Sequence, residues 1–294
     1  MPPSGKTLGD VLRAATVYLE EKNVHEPRLG CEYLASRILC CKRLELYLKF
    51  DVVLTDKQLA AMRRGVKRVA AGEPVQYVAG ETEFMSHIFK VDRRALIPRP
   101  ETETLVRAAL DCEALWRGDS PLIADVGTGS GCIAVSLALE KPHGRYVAFD
   151  VDEQALVLAM ENASSLGVLE TVTVGGRELS DSVEPDSLDA VVANLPYVST
   201  SDWEKLPTHI RDFEPRTALD GGPDGLAIIT DILSDVWIVL KPGGFVFLEI
   251  GSDQASRVTS LLRENGFDGI EIKKDIAECD RVVLAIKADQ QMHQ

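Results

Sequence analysis

The stretch Leu122–Leu139, LIADVGTGSGCIAVSLAL, decides how the chain folds. A short apolar run ends in Asp125, glycines follow at Gly127, Gly129 and Gly131, and a second apolar run has the length of a helix. A buried strand that turns through glycines into a helix is typical of the first unit of a doubly wound α/β domain. Because glycine has no Cβ, such a turn lets a ligand approach the backbone amides closely. The stretch therefore predicts an α/β sheet with a binding loop.

The glycine spacing and the next strand indicate the kind of ligand. GxGxG differs from the GxGxxG of dinucleotide-binding folds, and the Gly-Lys-Ser/Thr of a P-loop is missing. Asp150 ends the next predicted strand, 19 residues after Gly131. A carboxylate there accepts hydrogen bonds from the ribose hydroxyls of an adenosine cofactor. Alone, each feature also fits a tight connection or an acidic turn, but together they favour adenosine binding.

Charge is distributed unevenly along the chain. Residues 1–75 hold 13 Lys and Arg and 9 Asp and Glu, a net charge of +4, whereas the remainder holds 19 and 37, a net charge of −18. An acidic surface repels phosphate, so we expect no stable nucleic-acid binding by the larger part. A basic protein partner fits this charge better, and solubility alone is the other explanation.

The cysteine, histidine and apolar patterns argue against disulfides, a metal site and a membrane segment. The six cysteines form no CxxC pair, and the five histidines do not cluster with them. We therefore expect reduced thiols and no metal site. The N-terminus lacks an apolar signal core, and no apolar run approaches the ~20 residues of a membrane span. These features predict a protein of the cytoplasm, or of an organelle matrix as the alternative, that does not bind a membrane.

The first part of the chain predicts helices. Thr7 precedes an amphipathic helix and has Asp10 three residues later, the spacing of a capping box. Pro27 fits the first turn of a second helix, a shorter piece covers Leu44–Phe50, and Thr55 begins a last helix. One face of that last helix is basic, which favours a solvated surface over the alternative of a docking surface. It carries Lys57, Arg63, Arg64, Lys67 and Arg68.

Residues 74–95 predict a β-hairpin linker. Two short β-like pieces, Val75–Val78 and Ile88–Val91, lie on either side of Gly80. The prolines of Ile97–Glu103 (IPRPETE) then lead into a helix and place acidic side chains in its first turn, where the helix dipole favours them.

Downstream of the glycine loop, predicted strands and helices alternate, and a long loop runs from Asn194 to about Asp224. The predicted strands are Tyr146–Phe149, Val172–Val174, Leu188–Ala193, Phe245–Ile250, Ile270–Ile272 and Val282–Ile286. We therefore predict a helical domain over residues 1–73, a hairpin linker over 74–95 and a three-layer α/β domain over 96–294.

The tetrapeptide Asn194-Leu195-Pro196-Tyr197 carries the sharpest chemical signal. It follows the strand Leu188–Ala193, at the edge where open α/β sheets place their sites. The Asn194 carboxamide and the Leu195 carbonyl, held rigid by Pro196, offer two acceptors for one NH₂ group, and Tyr197 can wall the site. Holding both N–H bonds of an amide or adenine aims the nitrogen lone pair at an electrophilic methyl group. An ordinary turn is the alternative.

Four motifs together resemble the PrmC/HemK family. They are IPRPETE (Ile97–Glu103), DVGTGSG (Asp125–Gly131), NLPY (Asn194–Tyr197) and FEPRTAL (Phe213–Leu219). Members of this family use S-adenosylmethionine to methylate the glutamine of the Gly-Gly-Gln motif in class I peptide-chain release factors. The resemblance covers nearly the whole chain, and it implies a Rossmann-like methyltransferase fold with an N-terminal helical domain that helps to bind the release factor. We expect a monomer.

The resemblance also assigns site residues. It implies that Asp150 holds the ribose and that Asn194 contacts both the substrate amide and the cofactor. It implies that the methionine part of the cofactor is lined by Gly127, Thr128, Gly129, Ser130 and Gly131.

Two positions depart from the family pattern. The family motif is NPPY, and here Leu195 replaces the first proline; leucine retains the backbone carbonyl but lowers the rigidity of the loop. The family often places an acidic and an aromatic residue near the adenine, and this chain has Glu178 and Leu179 in that region. We expect these two residues to contact the cofactor.

Two other functions remain open. NLPY is also the spelling used by ribosomal-RNA adenine N6-methyltransferases, which are typically basic and carry an extra domain after the catalytic one. This chain's catalytic part is acidic, and its extra domain comes first. A non-catalytic binding scaffold of the same fold is the third interpretation. Cofactor binding separates the two enzymes from the scaffold, and methyl transfer to protein or to RNA separates the enzymes from each other.

Overall fold

The computed structural model describes residues 5–288, omitting the side chains at positions 180 and 181. The chain divides into two compact units. The first runs through Glu81 and includes Pro207–Phe213, and the second comprises Thr82–Leu206 and the chain from Glu214 onward. Within the described range, none of the helices combines the length and apolarity that crossing a membrane requires.

Amphipathic helices build the first unit. They are α1 (Leu8–Glu21), α2 (Pro27–Ile38), a 3-10 helix (Arg43–Leu48), α3 (Asp56–Ala70) and α4 (Val75–Ala79). The predicted capping box is confirmed, since Thr7 Oγ1 accepts from the backbone N–H of Asp10 and the Asp10 carboxylate reaches back to Thr7. Thr55 caps α3 in the same way. The apolar faces of these helices share one buried core.

Helix α4 corrects one prediction. Val75–Val78 was predicted as β-like because two of its four residues are β-branched, but Val75–Ala79 is helical. Pro74 begins the turn, Gly80 ends it with φ +78°, and Val75 and Val78 pack together against the helical core. Packing of this face outweighs the weak strand propensity.

A hairpin follows α4, as predicted, but it is shorter than residues 74–95. Its strands are β1 (Glu81–Phe84) and β2 (His87–Lys90), joined through Met85 and Ser86, which both have positive φ. The rings of Phe84 and Phe89 meet edge to face, with centroids 6.0 Å apart, in the core of the second unit.

The second unit contains a seven-stranded sheet. Its strands are β3 (Leu122–Val126), β4 (Arg145–Phe149), β5 (Val172–Gly176), β6 (Leu188–Ala193), β7 (Leu240–Glu249), β8 (Phe267–Lys274) and β9 (Asp280–Lys287). The order is β5-β4-β3-β6-β7-β9-β8, and β9 runs in the direction opposite to the other six strands. The predicted doubly wound α/β sheet is therefore confirmed.

Helices cover both faces of this sheet. The helices of the second unit are α5 (Thr102–Leu110), α6 (Cys132–Glu140), α7 (Glu153–Ser165), α8 (Leu179–Ser182), α9 (Thr200–Trp203), α11 (Ala227–Val239) and α12 (Ala255–Glu264), with 3-10 helices at Leu115–Arg117 and Arg216–Ala218. Helix α10 (Thr208–Arg211) belongs to the first unit. The predicted long loop after β6 thus contains α9, α10 and a 3-10 turn. Two apolar clusters, one on each face, bury the sheet.

The strand order fixes where a ligand can bind. The chain winds from β3 to β4 and β5 on one side and to β6 and β7 on the other, so the order reverses between β3 and β6. Ligands of open α/β sheets bind at the carboxyl edge beside this switch point. Val126 of β3 lies opposite Ala193 of β6, which places Gly127 and Asn194 side by side there.

Candidate active site

A cavity of about 370 Å³ opens at the switch point, within the second unit. Its size falls in the range typical of small-molecule sites. The glycine loop, the ends of β4 and β6, the segment that precedes α5 and one face of α11 line it. Of the residues predicted for the site, it contains Gly127, Thr128, Gly129, Ser130, Asp150, Glu178, Leu179, Asn194, Leu195 and Pro196.

The glycine loop holds its shape through buried hydrogen bonds. The amides of Gly127 and Thr128 both donate to the carbonyl of Phe149, each at 2.9 Å. Thr128 Oγ1 donates to Oδ2 of the buried Asp125 at 2.7 Å, and the Ala134 amide donates to the same oxygen at 3.0 Å. Asp125 is thus a structural support beneath the loop, and its burial raises its pKa to about 7.

Two glycines of this loop form a cradle for a ligand. Gly127 and Gly129 have φ of +73° and +55°, which L-residues with side chains rarely adopt. A Cβ on Gly127 would lie 3.2 Å from the Leu195 side chain. The absence of both side chains leaves the backbone open to the cavity.

Gly131 has a different role from the one predicted. It does not line the cavity; it caps the N-terminus of α6, where a Cβ would lie 2.9 Å from the Cβ of Ala159 on α7. Gly131 therefore allows α6 and α7 to pack closely, and its contribution to ligand binding is indirect.

Asp150 joins the end of β4 to the glycine loop. Its Oδ2 accepts from the Gly129 amide at 2.8 Å, and its Oδ1 accepts from the Asp152 amide at 2.9 Å. Burial raises the pKa of Asp150, and these two N–H groups oppose that shift. Each oxygen can accept a further hydrogen bond, so the carboxylate can bind hydroxyl groups of a ligand.

The wall beside Asp150 is apolar. Phe149, Ile133 and Leu179 are buried and line the cavity, whereas Glu178 lies at its exposed rim. This arrangement suits a flat apolar ring next to a polar sugar.

Five carboxylates and three guanidinium groups line the cavity, an excess of negative charge that favours a cationic ligand. They are Asp150, Asp152, Glu178, Asp231, Asp235, Arg94, Arg99 and Arg177.

Asn194 is oriented by a residue outside its own motif. Its Nδ2 donates to Oγ1 of Thr102, the first residue of α5, at 3.1 Å. With the NH₂ group engaged in this way, the carbonyl oxygen Oδ1 is left as the acceptor for a bound group. The IPRPETE motif therefore contributes Thr102 to the site, where sequence reasoning had assigned it only helix-starting residues.

The loop after Asn194 is anchored on both sides. The Leu195 side chain is buried and packs toward the glycine loop. The Tyr197 carbonyl accepts from Gln254 Nε2 at 2.9 Å, and Gly221 lies so close to the Pro196 carbonyl that no Cβ would fit. The Tyr197 ring does not wall the cavity as predicted; its hydroxyl donates to Glu249 Oε1 at 3.2 Å instead.

A buried ion pair ties two of the sequence motifs together. Glu214 of FEPRTAL accepts from Arg99 at 2.6 Å and from the backbone amide of Ile97 at 3.2 Å. IPRPETE and FEPRTAL are thus two parts of one wall. Sequence spacing does not reveal this pairing, because 115 residues separate the two partners.

Two chemistries find no support in the described residues. Within that range there is no group of three or more His, Cys, Asp or Glu side chains arranged to hold a metal ion. Cys132 lines the cavity, but burial raises the pKa of its thiol to about 12, so it stays protonated and is a poor nucleophile.

Comparison with known proteins identifies the family. A model described as the PrmC N-terminal domain matches residues 10–80, and one described as the methyltransferase small domain matches residues 108–209. The release factor glutamine methyltransferase of Rhodopirellula baltica is 38% identical over 286 residues, covering 96% of this chain and 97% of its own. That of Moorella thermoacetica is 40% identical and covers 97% and 100%.

Solved structures agree on the fold. A methyltransferase from Pyrococcus furiosus superposes with a TM-score of 0.51 at 14% identity, covering 80% of this chain and 100% of that one. The sequence relatives, which match this chain over nearly its whole length, lead to one conclusion: the chain belongs to the family of release factor glutamine methyltransferases.

Proposed function

We propose that this protein transfers a methyl group from S-adenosylmethionine to the side-chain amide nitrogen of a glutamine in a class I peptide-chain release factor, within the Gly-Gly-Gln motif. The observation that carries this proposal is the orientation of Asn194. Its NH₂ group donates to Thr102, so its carbonyl oxygen is available beside the glycine loop to accept from an incoming amide.

The cavity fits S-adenosylmethionine, the methyl donor of this family. Gly127 and Gly129, with no Cβ, would receive the methionine part, together with Thr128 and Ser130. Asp150 would accept the ribose hydroxyls, and Leu179 would pack against the adenine. The excess of carboxylates complements a cation. When bound, S-adenosylmethionine supplies an electrophilic methyl group on a sulfonium sulfur.

The residues of the chain position the nucleophile. Asn194 Oδ1 and the Leu195 carbonyl would each accept one N–H of the glutamine amide, which fixes the plane of the NH₂ group and the direction of its lone pair. The same two oxygens stabilise positive charge as it develops on the nitrogen. The nitrogen would react as a neutral group, the cofactor would leave as a neutral thioether as its sulfur–methyl bond breaks, and the nitrogen would then release its proton to water. No strong base and no covalent intermediate with the enzyme is therefore required.

The proposed docking domain is residues 1–73, which form most of the first unit. It has a complete core of its own, and its surface presents apolar side chains on the 3-10 helix: Leu44, Tyr47 and Leu48. The basic face of α3 is exposed as well, although Arg68 pairs with Glu73. A large protein substrate needs such a surface in addition to the amide-binding site. The monomeric state, the absence of stable nucleic-acid binding and the cytoplasmic location remain predictions.

The test is methyl transfer from labelled S-adenosylmethionine with three acceptors in parallel: an intact release factor, its Gln→Asn variant at Gly-Gly-Gln, and ribosomal RNA. We expect label only on the intact release factor, with mass spectrometry locating it on the glutamine side chain. Label on RNA would support the adenine methyltransferase alternative. Cofactor binding without any transfer would support the scaffold.

A further inference from the structure

Glu249 is a buried carboxyl group that the catalytic scheme above does not use. It ends β7, and it follows Leu248, which lies opposite Ala193 in the parallel pair β6–β7. Glu249 therefore sits beside Asn194 at the carboxyl edge of the sheet, with only 1% of its surface exposed. A carboxyl group so deeply buried next to a site requires hydrogen-bond partners.

The partners of Glu249 are residues of the site. Tyr197, in the NLPY motif, donates its hydroxyl to Oε1 at 3.2 Å. The Thr102 side chain lies near enough to the carboxyl group to lower its pKa, as a neighbouring hydrogen-bond donor does. Oε2 is buried and has no hydrogen-bond partner among the described residues. This leaves the neighbouring Thr102 hydroxyl, itself only 2% exposed, as a donor toward which that oxygen can turn.

A single hydrogen then decides how Asn194 is oriented. A threonine hydroxyl has one proton to donate and lone pairs that accept. If that proton points to Glu249, only the lone pairs of Oγ1 face Asn194, and they accept from Nδ2, the arrangement observed at 3.1 Å. If the proton pointed to Asn194, the amide would turn its oxygen toward Thr102 and its NH₂ group toward the cavity.

We propose that Glu249 is a positioning residue that orients the Thr102 hydroxyl, thereby holds the Asn194 carbonyl oxygen toward the substrate amide, and through Tyr197 fixes the loop that carries the Leu195 carbonyl. This inference rests on the proposed function, because it concerns the same methyl transfer. Both residues act through other groups: Thr102 through Asn194, and Glu249 through Thr102 and Tyr197.

The protonation state of Glu249 gives the inference a pH dependence. Burial raises the pKa of Glu249 to about 7, against the lowering effects of Thr102, Arg281 and Tyr197, while Glu101 raises it further. Ionised Glu249 accepts from Thr102, whereas protonated Glu249 can donate to Thr102 and release that hydroxyl to turn toward Asn194. We therefore expect kcat to rise with pH through about 7. Burial raises the pKa of Asp125 to about 7 as well, but Asp125 lies under the glycine loop, so we expect its ionisation to change the Kd of S-adenosylmethionine rather than kcat.

A matched pair of variants separates positioning from mere packing. Thr102→Val keeps the shape of the side chain but removes the hydroxyl, and Thr102→Ser keeps the hydroxyl but removes the methyl. We expect kcat for methyl transfer to fall about tenfold in Thr102→Val, the order of one hydrogen bond, and to stay within about twofold of wild type in Thr102→Ser. The Kd of S-adenosylmethionine, measured by calorimetry, should stay within about twofold in both.

Glu249→Gln tests the origin of the effect. Its amide can donate to Thr102, so kcat should fall about tenfold at pH 8, and the rise of kcat through pH 7 should disappear while wild type and Thr102→Ser retain it. Equal kcat in wild type, Thr102→Val and Glu249→Gln would overturn the inference, and so would equal losses in the Val and Ser variants.

An independent readout keeps the inference separate from the proposed function. If wild type methylates no glutamine, the proposed function fails, and the Asn194 side-chain amide resonances, assigned with Asn194→Ala, then decide the positioning claim. Thr102→Val and Glu249→Gln should shift these resonances and Thr102→Ser should not. Unchanged resonances in Thr102→Val would contradict the positioning claim.

Discussion

Asn194 and Thr102 are 92 positions apart in the chain, yet the side-chain amide of Asn194 donates to the hydroxyl of Thr102 at 3.1 Å. This bond joins the start of α5 to the end of β6 at the switch point of the sheet. It occupies the NH₂ group of Asn194 and leaves its carbonyl oxygen as the acceptor in the cavity. The orientation that the proposed reaction requires is thus present in the fold without any substrate.

Cofactor binding is predicted to depend on Gly129 and Asp150. A side chain at Gly129 is strained at φ +55° and enters the cradle, so Gly129→Ala should abolish binding of S-adenosylmethionine. Asp150→Ala should weaken it by about 1–3 kcal/mol through lost hydrogen bonds. Calorimetry gives the affinities, with Gly118→Ala as the control, because Gly118 has open space around it and no positive φ. Wild-type affinity in both site variants would refute the assignment.

Replacing Leu195 with proline should affect catalysis and stability in different ways, because the leucine side chain is buried. Leu195→Pro should keep kcat at or above the wild-type value, because the carbonyl remains and the loop stiffens. It should also lower the melting temperature, because a side chain that is 5% exposed is lost from the core. Leu195→Ala should lose about 2–5 kcal/mol of stability without the stiffening. A large fall of kcat in folded Leu195→Pro would show that the loop needs a φ that proline cannot adopt.

Release factor docking is predicted to involve the 3-10 helix of the first unit. Leu48 is 88% exposed, so Leu48→Asp should leave the fold intact. It should raise KM for the release factor severalfold and leave KM for S-adenosylmethionine unchanged, because it places a charge in an apolar contact. Ile276→Asp, at a fully exposed position of the second unit, is the matched control and should change neither value. Identical KM values for the two variants would argue against this docking surface.

The ionisation of the buried Asp125 should make the free energy of unfolding depend on pH. Burial raises its folded-state pKa from about 3.8 to about 7, so the folded state retains a proton that the unfolded state releases. Its contribution is therefore complete below about pH 4 and is lost as pH rises toward 7, on the order of 4 kcal/mol in all.

Asp125→Asn is the variant that isolates this contribution. Asparagine cannot ionise. The free energy of unfolding of wild type minus that of Asp125→Asn should therefore fall between pH 5 and pH 7.5, as measured by urea unfolding. If this value rose over the same pH range, the surroundings would stabilise the carboxylate rather than disfavour it.

The sequence predicts those parts of the fold that depend on local patterns. The glycine loop after β3, the capping boxes of Thr7 and Thr55 and the positions of the parallel strands all follow from residue types at fixed spacing. Val75–Ala79 was mispredicted because valine favours strands locally, while packing against the helical core decides the outcome.

The site was predictable only where its residues lie at strand ends. Asp150 and Asn194 were predicted in this way and line the cavity. Glu249, at the end of β7, has the same kind of position but was not predicted. The hydrogen bond between Thr102 and Asn194 was not predictable, because it depends on two elements that meet only in the folded sheet. Gly131 and Tyr197 belong to the right motifs, but their contacts point to α7 and Glu249 rather than into the cavity.

The most direct test of the central claim is the single-turnover rate of glutamine methylation in wild type and Asn194→Ala, with product located by mass spectrometry. The variant removes one oriented acceptor, so the rate should fall by about 10²-fold or more while S-adenosylmethionine still binds. Asn194→Asp should also be impaired, because it places a negative charge beside the sulfonium. If Asn194→Ala methylates the glutamine at the wild-type rate, Asn194 does not hold the substrate amide and the assignment of the site is wrong.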